Sequence, residues 1–255
     1  MYFSNSELTT PLLRQLFAEA DVVLIEEAFQ DEGDLTLNMF NELSRGKLLI
    51  EDVQNVMSGI GKQYNPEFDR EIKSLIFRSG KRIFVEKSPH SAYHYNVLMD
   101  RLDREYRDMR VVKACHKLTE DLVEYANYQK KRDDALADQL TTLARSEAAS
   151  NILVIRGLEH KANLERALIE RNISARSFLS QEWIPLTFTD DVVKKLLAGE
   201  RPLRRDLLLT LAERTEMRTD SYGITKANVQ AVRERFGGMS EKELEKLLRK
   251  KLNLT

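Results

Sequence analysis

The sequence has 255 residues, with 40 Lys and Arg against 41 Asp and Glu, so its formal net charge is -1. Such a balance provides no global field for polyanions or anionic lipids, which argues against a dedicated nucleic-acid binder. No stretch approaches the roughly 18 apolar residues of a membrane helix, so we expect no membrane partner. Because of the charge balance, we expect no nucleic-acid partner either. The single cysteine, Cys115, cannot form an internal disulfide, and we predict a cytoplasmic protein.

The first part of the chain alternates between helices and short apolar runs. Leucine and phenylalanine at helical spacing predict a first helix over 10–18. Three β-branched, apolar runs that end in polar residues are typical of buried parallel strands: 22–25, 83–85 and 152–155. A predicted helix over 161–171, followed by a run at 174–179, would complete a strand–helix–strand unit with a fourth strand.

The rest of the sequence is predicted to be helical. Residues 91–148 are nearly free of Gly and Pro and carry apolar residues at helical spacing, which predicts two or three long helices. After Trp183 and Pro185, four short amphipathic segments are separated by turn signals. We therefore predict an α/β fold: a small, mostly parallel sheet flanked by long helices over 1–183, and a helical C-terminal region over 184–255.

Polar side chains follow each predicted strand. In open α/β sheets, ligands bind beyond the carboxyl ends of the parallel strands. The residues at these ends are Glu26, Glu27, Glu86 and Arg156. A carboxylate there can serve as a metal ligand or a general base. Alternatively, one of the two adjacent glutamates caps the next segment or pairs with a surface lysine.

Two histidine patterns are candidate ligand sites. Gly157 to His160 follows the third strand and precedes a helix, so the helix amides would favour a neutral His160. His90 and His94 are four residues apart and would share one face of a helix, as in several zinc sites. Each pattern is also compatible with surface histidines that bind no ligand. No serine nucleophile elbow, P-loop, Rossmann glycine pattern or CxxC occurs.

Three segments in order carry a family resemblance: EADVVLIEEA, YQKKRDDALADQLTTL and NILVIRGLEHKANLERALIERNI. Their succession resembles the TraB, Tiki and erythromycin-esterase-like superfamily, which also includes ChaN-like haem-binding proteins. The resemblance covers mainly residues 8–180 and matches Glu26, Arg132 and Gly157 to His160 to motif positions of the family. The family's earlier Gly-x-x-His is not matched, so either the chain starts upstream or this member lacks half of a paired histidine site.

The resemblance implies a metal-dependent hydrolase of ester or peptide bonds, acting on a small molecule or a peptide. Glu26 and His160 would bind a divalent metal of unknown identity or position water, and Arg132 would hold an anionic group or a developing oxyanion. Because catalytic zinc sites usually have three protein ligands, Glu86 or His90 would complete the set. The sequence leaves the oligomeric state open.

Two alternatives remain. In the first, the protein is a non-catalytic binding or regulatory protein with a vestigial site, and an apolar stripe on LRRDLLLTLAERTEM is exposed as a partner surface. In the second, it binds haem through Tyr93, Tyr95 or a histidine beside an apolar cleft. Convergence of His160, Glu26 and Arg132 in one polar pocket would favour the hydrolase.

Overall fold

A computed structural model describes eleven parts of the chain. These are residues 9–26, 33–59, 66–87, 89, 97–98, 106, 110–147, 151–156, 161–176, 187–219 and 226–252. The packing divides the chain into two compact units: residues 1–92 with 132–183, and residues 93–131 with 184–255. These units are defined by packing alone, so the predicted domain boundary at residue 183 stays a prediction.

In the described residues, the first unit contains three short strands and the four helices of the N-terminal part of the chain. In chain order its described elements are α1 (Thr9–Glu19), β1 (Val22–Ile25), α2 (Gly33–Ser44), α3 (Ile50–Gly59), α4 (Pro66–Ile76), β2 (Arg82–Val85), the end of α5 (Val111–Ser146), β3 (Ile152–Ile155) and α6 (Lys161–Glu170). The predicted α/β fold, with a small parallel sheet and long helices, is confirmed.

The strands form one parallel sheet in the order β2-β1-β3. The central strand β1 is buried because helices cover both of its faces. One face packs with Phe40, Leu43 and Ile76. On the other face, Leu24 joins Leu136 of α5 and other apolar residues of α5 and α6. Burial on both faces explains why β1 is apolar throughout rather than alternating.

The register of the sheet brings the three strand ends to one edge. Ile25 lies opposite Val85 on one side and opposite Ile155 on the other. Backbone hydrogen bonds extend the ladder by one residue, since the amide of Glu86 donates to the carbonyl of Ile25 at 2.9 Å and the amide of Glu26 to that of Ile155 at 3.1 Å. The next residue of each strand therefore lies at the same edge.

The structure bears on two further sequence predictions. Of the two or three long helices predicted over 91–148, one is α5, a helix of 36 residues from Val111 to Ser146, and residues 97–98 are helical as well. Most of 91–109 lies outside the described residues, so the number of helices there stays a prediction. The predicted fourth strand at 174–179 does not form over 174–176, which are irregular and exposed, and its remainder lies outside the described residues. The chain leaves α6 through Asn172, whose φ of 58° is left-handed, and only Ile173 packs back on the core.

The second unit is helical, as predicted for the C-terminal region. The helices whose bounds lie within the described residues are 111–131 of α5, together with α7 (Phe188–Leu197), α8 (Arg204–Thr219), α9 (Lys226–Gly237) and α10 (Glu241–Leu252). One apolar core joins the α5 residues Leu118 and Leu122 to Leu208, Phe236 and Leu244 of the later helices. No helix in the described ranges is both long and apolar enough to cross a membrane.

Cys115 lies in the core of the second unit, where burial raises the pKa of its thiol to about 11. Because the thiolate is the reactive form, we expect the native protein to resist a thiol reagent such as dithionitrobenzoate at about pH 8. The same protein in guanidinium chloride should react at once with one equivalent. Rapid labelling of the native protein would show that Cys115 is accessible and contradict this packing.

Candidate functional site

Charged side chains follow all three strands at the carboxyl edge of the sheet. Glu26 follows β1, Glu86 follows β2 and Arg156 follows β3. Because the strands are parallel and end in register, these residues occupy neighbouring positions, about 5 Å apart from strand to strand. This is the edge at which open parallel sheets bind their ligands.

Arg132 of α5 joins the ends of two neighbouring strands. Its Nε donates to Oε1 of Glu86 at 3.1 Å, and its Nη2 donates to Oε1 of Glu26 at 3.2 Å. One guanidinium therefore fixes both carboxylates. The planar group offers its donors in a fixed fork, which makes arginine suited to hold two carboxylates at a defined separation.

Arg156 connects Glu86 to Asp133, the residue that follows Arg132 on α5. Its Nη2 donates to Oε1 of Glu86 at 3.1 Å, and its Nη1 donates to Oδ1 of Asp133 at 2.5 Å. Oδ2 of Asp133 accepts from Nδ2 of Asn163 on α6 at 2.6 Å, and Oδ1 of Asn163 accepts from Arg166. These hydrogen bonds therefore link seven side chains in series, in the order Glu26, Arg132, Glu86, Arg156, Asp133, Asn163 and Arg166.

This series of side chains is buried in its middle and accessible at both ends, where Glu26 is partly exposed and Arg166 is exposed. The side chains of Glu86, Asp133, Arg132 and Arg156 are at most 4% exposed, whereas that of Glu26 is 18% exposed. Removing charges from water costs several kcal/mol per ion, so a buried ion cluster is weak evidence for a purely stabilising role. Among the three carboxylates, Glu26 is the one that solvent or a small molecule can approach most easily.

The structure brings together three of the five residues predicted from the sequence. Glu26, Glu86 and Arg132 meet in one cluster. The other two, His90 and His160, lie outside the described residues. The same holds for Glu27, for His94 and for the two tyrosines that the haem alternative needs. Their predicted roles stay predictions.

The carboxylates of Glu26 and Glu86 are not arranged to hold a metal ion between them. The guanidinium of Arg132 already lies between these carboxylates and binds one oxygen of each, so a bridging cation would compete with it. No group of three His, Cys, Asp or Glu side chains that could hold a metal occurs in the described ranges. The predicted divalent metal, with His90 and His160 among its ligands, stays a prediction.

Asp133 and Asn163 are members of the site that sequence reasoning did not identify, and Arg156 had been noted only for its position after a strand. Asp133 follows Arg132 in the sequence, which is a local signal, but its neighbour Asp134 has the same chemistry. The rotation of α5 about its axis decides which of the two faces Arg156. That rotation depends on packing, which spacing along the sequence does not fix.

The second unit has a cavity of its own, of about 450 Å³, lined by residues of α7, α8 and α9. Several of its charges pair with one another. Lys195 donates to Asp206 at 2.6 Å, and Arg233 donates to Asp191 at 2.9 Å while its guanidinium lies over the ring of Phe188. Two of the cations that line the cavity are therefore paired with carboxylates.

Comparisons of the chain with models of protein families, with curated proteins and with solved structures give no match. The resemblance to the TraB, Tiki and erythromycin-esterase-like superfamily therefore stays a prediction that depends on the motif order alone. The contacts among Glu26, Glu86 and Arg132 are independent of that resemblance, because they are observed in the structure.

Proposed function

We propose that this protein is a hydrolase of ester or peptide bonds whose active site lies at the carboxyl edge of the parallel sheet. One observation carries the proposal: Glu26, the accessible carboxylate at the end of the central strand, is held by Arg132, which also holds Glu86. A positioned carboxylate beside a guanidinium can supply a general base and a positive charge for the hydrolysis of a carbonyl compound.

Hydrolysis adds water across the scissile bond. In the proposed mechanism Glu26 accepts a proton from water as the water oxygen attacks the carbonyl carbon. The positive charge of Arg132 stabilises the negative charge that develops on the carbonyl oxygen. When the bond to the alcohol or amine breaks, the leaving group takes up the proton, and the acid product remains. His160 and a divalent metal stay in the proposal as predicted parts of this site.

One observation favours the alternative of a non-catalytic binding protein. The described charges of the site pair with one another, so a vestigial site could persist as a structural ion cluster. The partner surface predicted for that alternative is not found on α8, however. Its leucines 207, 208, 209 and 211 are buried in the core of the second unit rather than forming an exposed stripe.

The test is a panel of uncharged esters and peptides assayed with the wild-type protein and with Glu26→Gln, Arg132→Lys and His160→Ala. We expect turnover by the wild type and a loss of roughly 100-fold or more for Glu26→Gln, which is the usual contribution of a general base. Glu42→Gln is the matched control, since Glu42 pairs with Arg45 and Lys47 at the surface of the same unit. Chelation followed by metal addition tests the metal.

Two outcomes would contradict the proposal. One is absence of turnover across the panel by folded wild-type protein, with and without added metal. The other is turnover that Glu26→Gln leaves at the level of Glu42→Gln. Circular dichroism of each variant separates a loss of activity from a loss of folding.

A further inference from the structure

Arg156 has one nitrogen that takes no part in the ion pairs. Both of its terminal nitrogens are held by carboxylates, while its Nε is buried and has no hydrogen-bond acceptor in the part of the chain that the structure describes. The side chain as a whole is 96% buried, since 4% of it is exposed. Buried N–H groups are nearly always paired, and an unpaired one costs free energy, so an acceptor that is not part of the described protein would be bound favourably there.

The orientation of the guanidinium indicates what could accept from this nitrogen. In arginine, Nε–H and Nη2 lie on the same edge of the planar group, and here Nη2 donates to Glu86. An acceptor at Nε would therefore lie beside the carboxylate of Glu86. An anionic acceptor would be repelled by Glu86 at this short distance in a buried site, whereas an uncharged carbonyl oxygen would not.

We propose that Arg156 is a substrate-binding residue, and that its Nε donates to the carbonyl oxygen of an uncharged ester or amide. The inference rests on the proposed function, because it concerns the substrate of the same site. Arg156 and Glu26 follow paired strands in register, so a carbonyl group held by Arg156 lies next to the proposed base. The substrate class is then a neutral carbonyl compound rather than a phosphoester or a free carboxylate.

The experiment observes the arginine Nε–H groups directly by 15N NMR of the full-length protein. The signal of Arg156 is assigned through bonds in the wild type, and Arg156→Lys should remove it. The probes are N-acetylalanine methyl ester, which is neutral, and N-acetylalanine, which carries a carboxylate. We expect the ester to shift the Arg156 signal in a saturable way and the acid to leave it in place.

Arg171 provides the control signal, because its Nε already donates to Asp138 at 2.8 Å on α5 in the same unit. It should not move with either probe. An Arg156 signal that neither probe moves, or that the acid moves as much as the ester, would overturn the inference. If Arg156→Lys does not fold, the wild-type assignment alone is sufficient for the test.

The two proposals fail separately. An Arg156 signal that shifts with the ester, in a protein that hydrolyses nothing in the panel, contradicts the hydrolase and leaves a carbonyl-binding site. Turnover of esters with an unmoved Arg156 signal contradicts the role of Arg156 and leaves the hydrolase. The NMR result depends on binding and not on activity.

Discussion

Glu86→Gln is expected to lower the free energy of unfolding by about 3 kcal/mol. A single oxygen of Glu86 accepts from both Arg132 and Arg156, and all three side chains are buried. Removing the negative charge leaves two buried guanidinium groups with one carboxylate fewer between them. Urea unfolding at about pH 7, followed by circular dichroism, measures the change.

Glu42→Gln is again the matched control. Glu42 also binds two cations, Arg45 and Lys47, but does so at the surface. Solvent screens such pairs, so we expect a loss below about 1 kcal/mol. Equal losses for the two variants would mean that burial does not couple Glu86 to its arginines.

Glu213→Gln is expected to make the stability of the protein less dependent on pH. Glu213 is a buried residue of α8 that accepts from the amide of Phe188 at 2.6 Å, and from the amide and hydroxyl of Thr189 at 3.1 and 3.0 Å. Burial raises the pKa of Glu213 from 4.5 to about 7, with Asp190 adding to the rise and the hydrogen bonds opposing it. The folded protein therefore holds this proton more tightly than the unfolded chain does.

The sign of the pH dependence follows from that difference. Below pH 4.5 both states are protonated, and above about pH 7 both are ionised, but between these values only the folded state keeps the proton. Stability is therefore lost as the pH rises through this window, by at most about 3 kcal/mol. We expect the free energy of unfolding of Glu213→Gln to rise relative to that of the wild type, by up to that amount, as the pH increases from about 5 to about 8.

Urea unfolding of both proteins at several pH values in this range measures the gain. Glu200→Gln, at an exposed position of the same unit, is the control and should follow the wild type. Curves for Glu213→Gln that stay parallel to the wild type at every pH would show that Glu213 does not titrate in this range.

The residues at the carboxyl edge of the sheet could be predicted from the sequence, because strands and the residues that follow them are local features of the chain. The three strands are short, apolar runs, and the residues after them were identified by position alone. Parallel pairing then requires that Glu26 and Glu86 lie together. Arg132 was predicted through the family resemblance, and the structure places its guanidinium between the two carboxylates.

Other features depend on packing that the sequence does not reveal. Amphipathic spacing shows that Leu118 and Leu122 share an apolar face, but not that this face packs with the C-terminal helices. The same limit applies to Asp133, whose contact with Arg156 depends on the rotation of α5. The predicted fourth strand fails at 174–176 because these residues are exposed and offer no apolar face to a sheet.

The way in which α5 is shared between the two units has a consequence for synthesis. The chain passes from one unit to the other at residues 92/93, 131/132 and 183/184, so neither unit is a continuous segment. The apolar face formed by Leu118 and Leu122 leaves the ribosome well before Leu208 and Phe236, with which it packs. Until these arrive, that face is exposed, and we expect it to be the segment that nascent-chain chaperones bind.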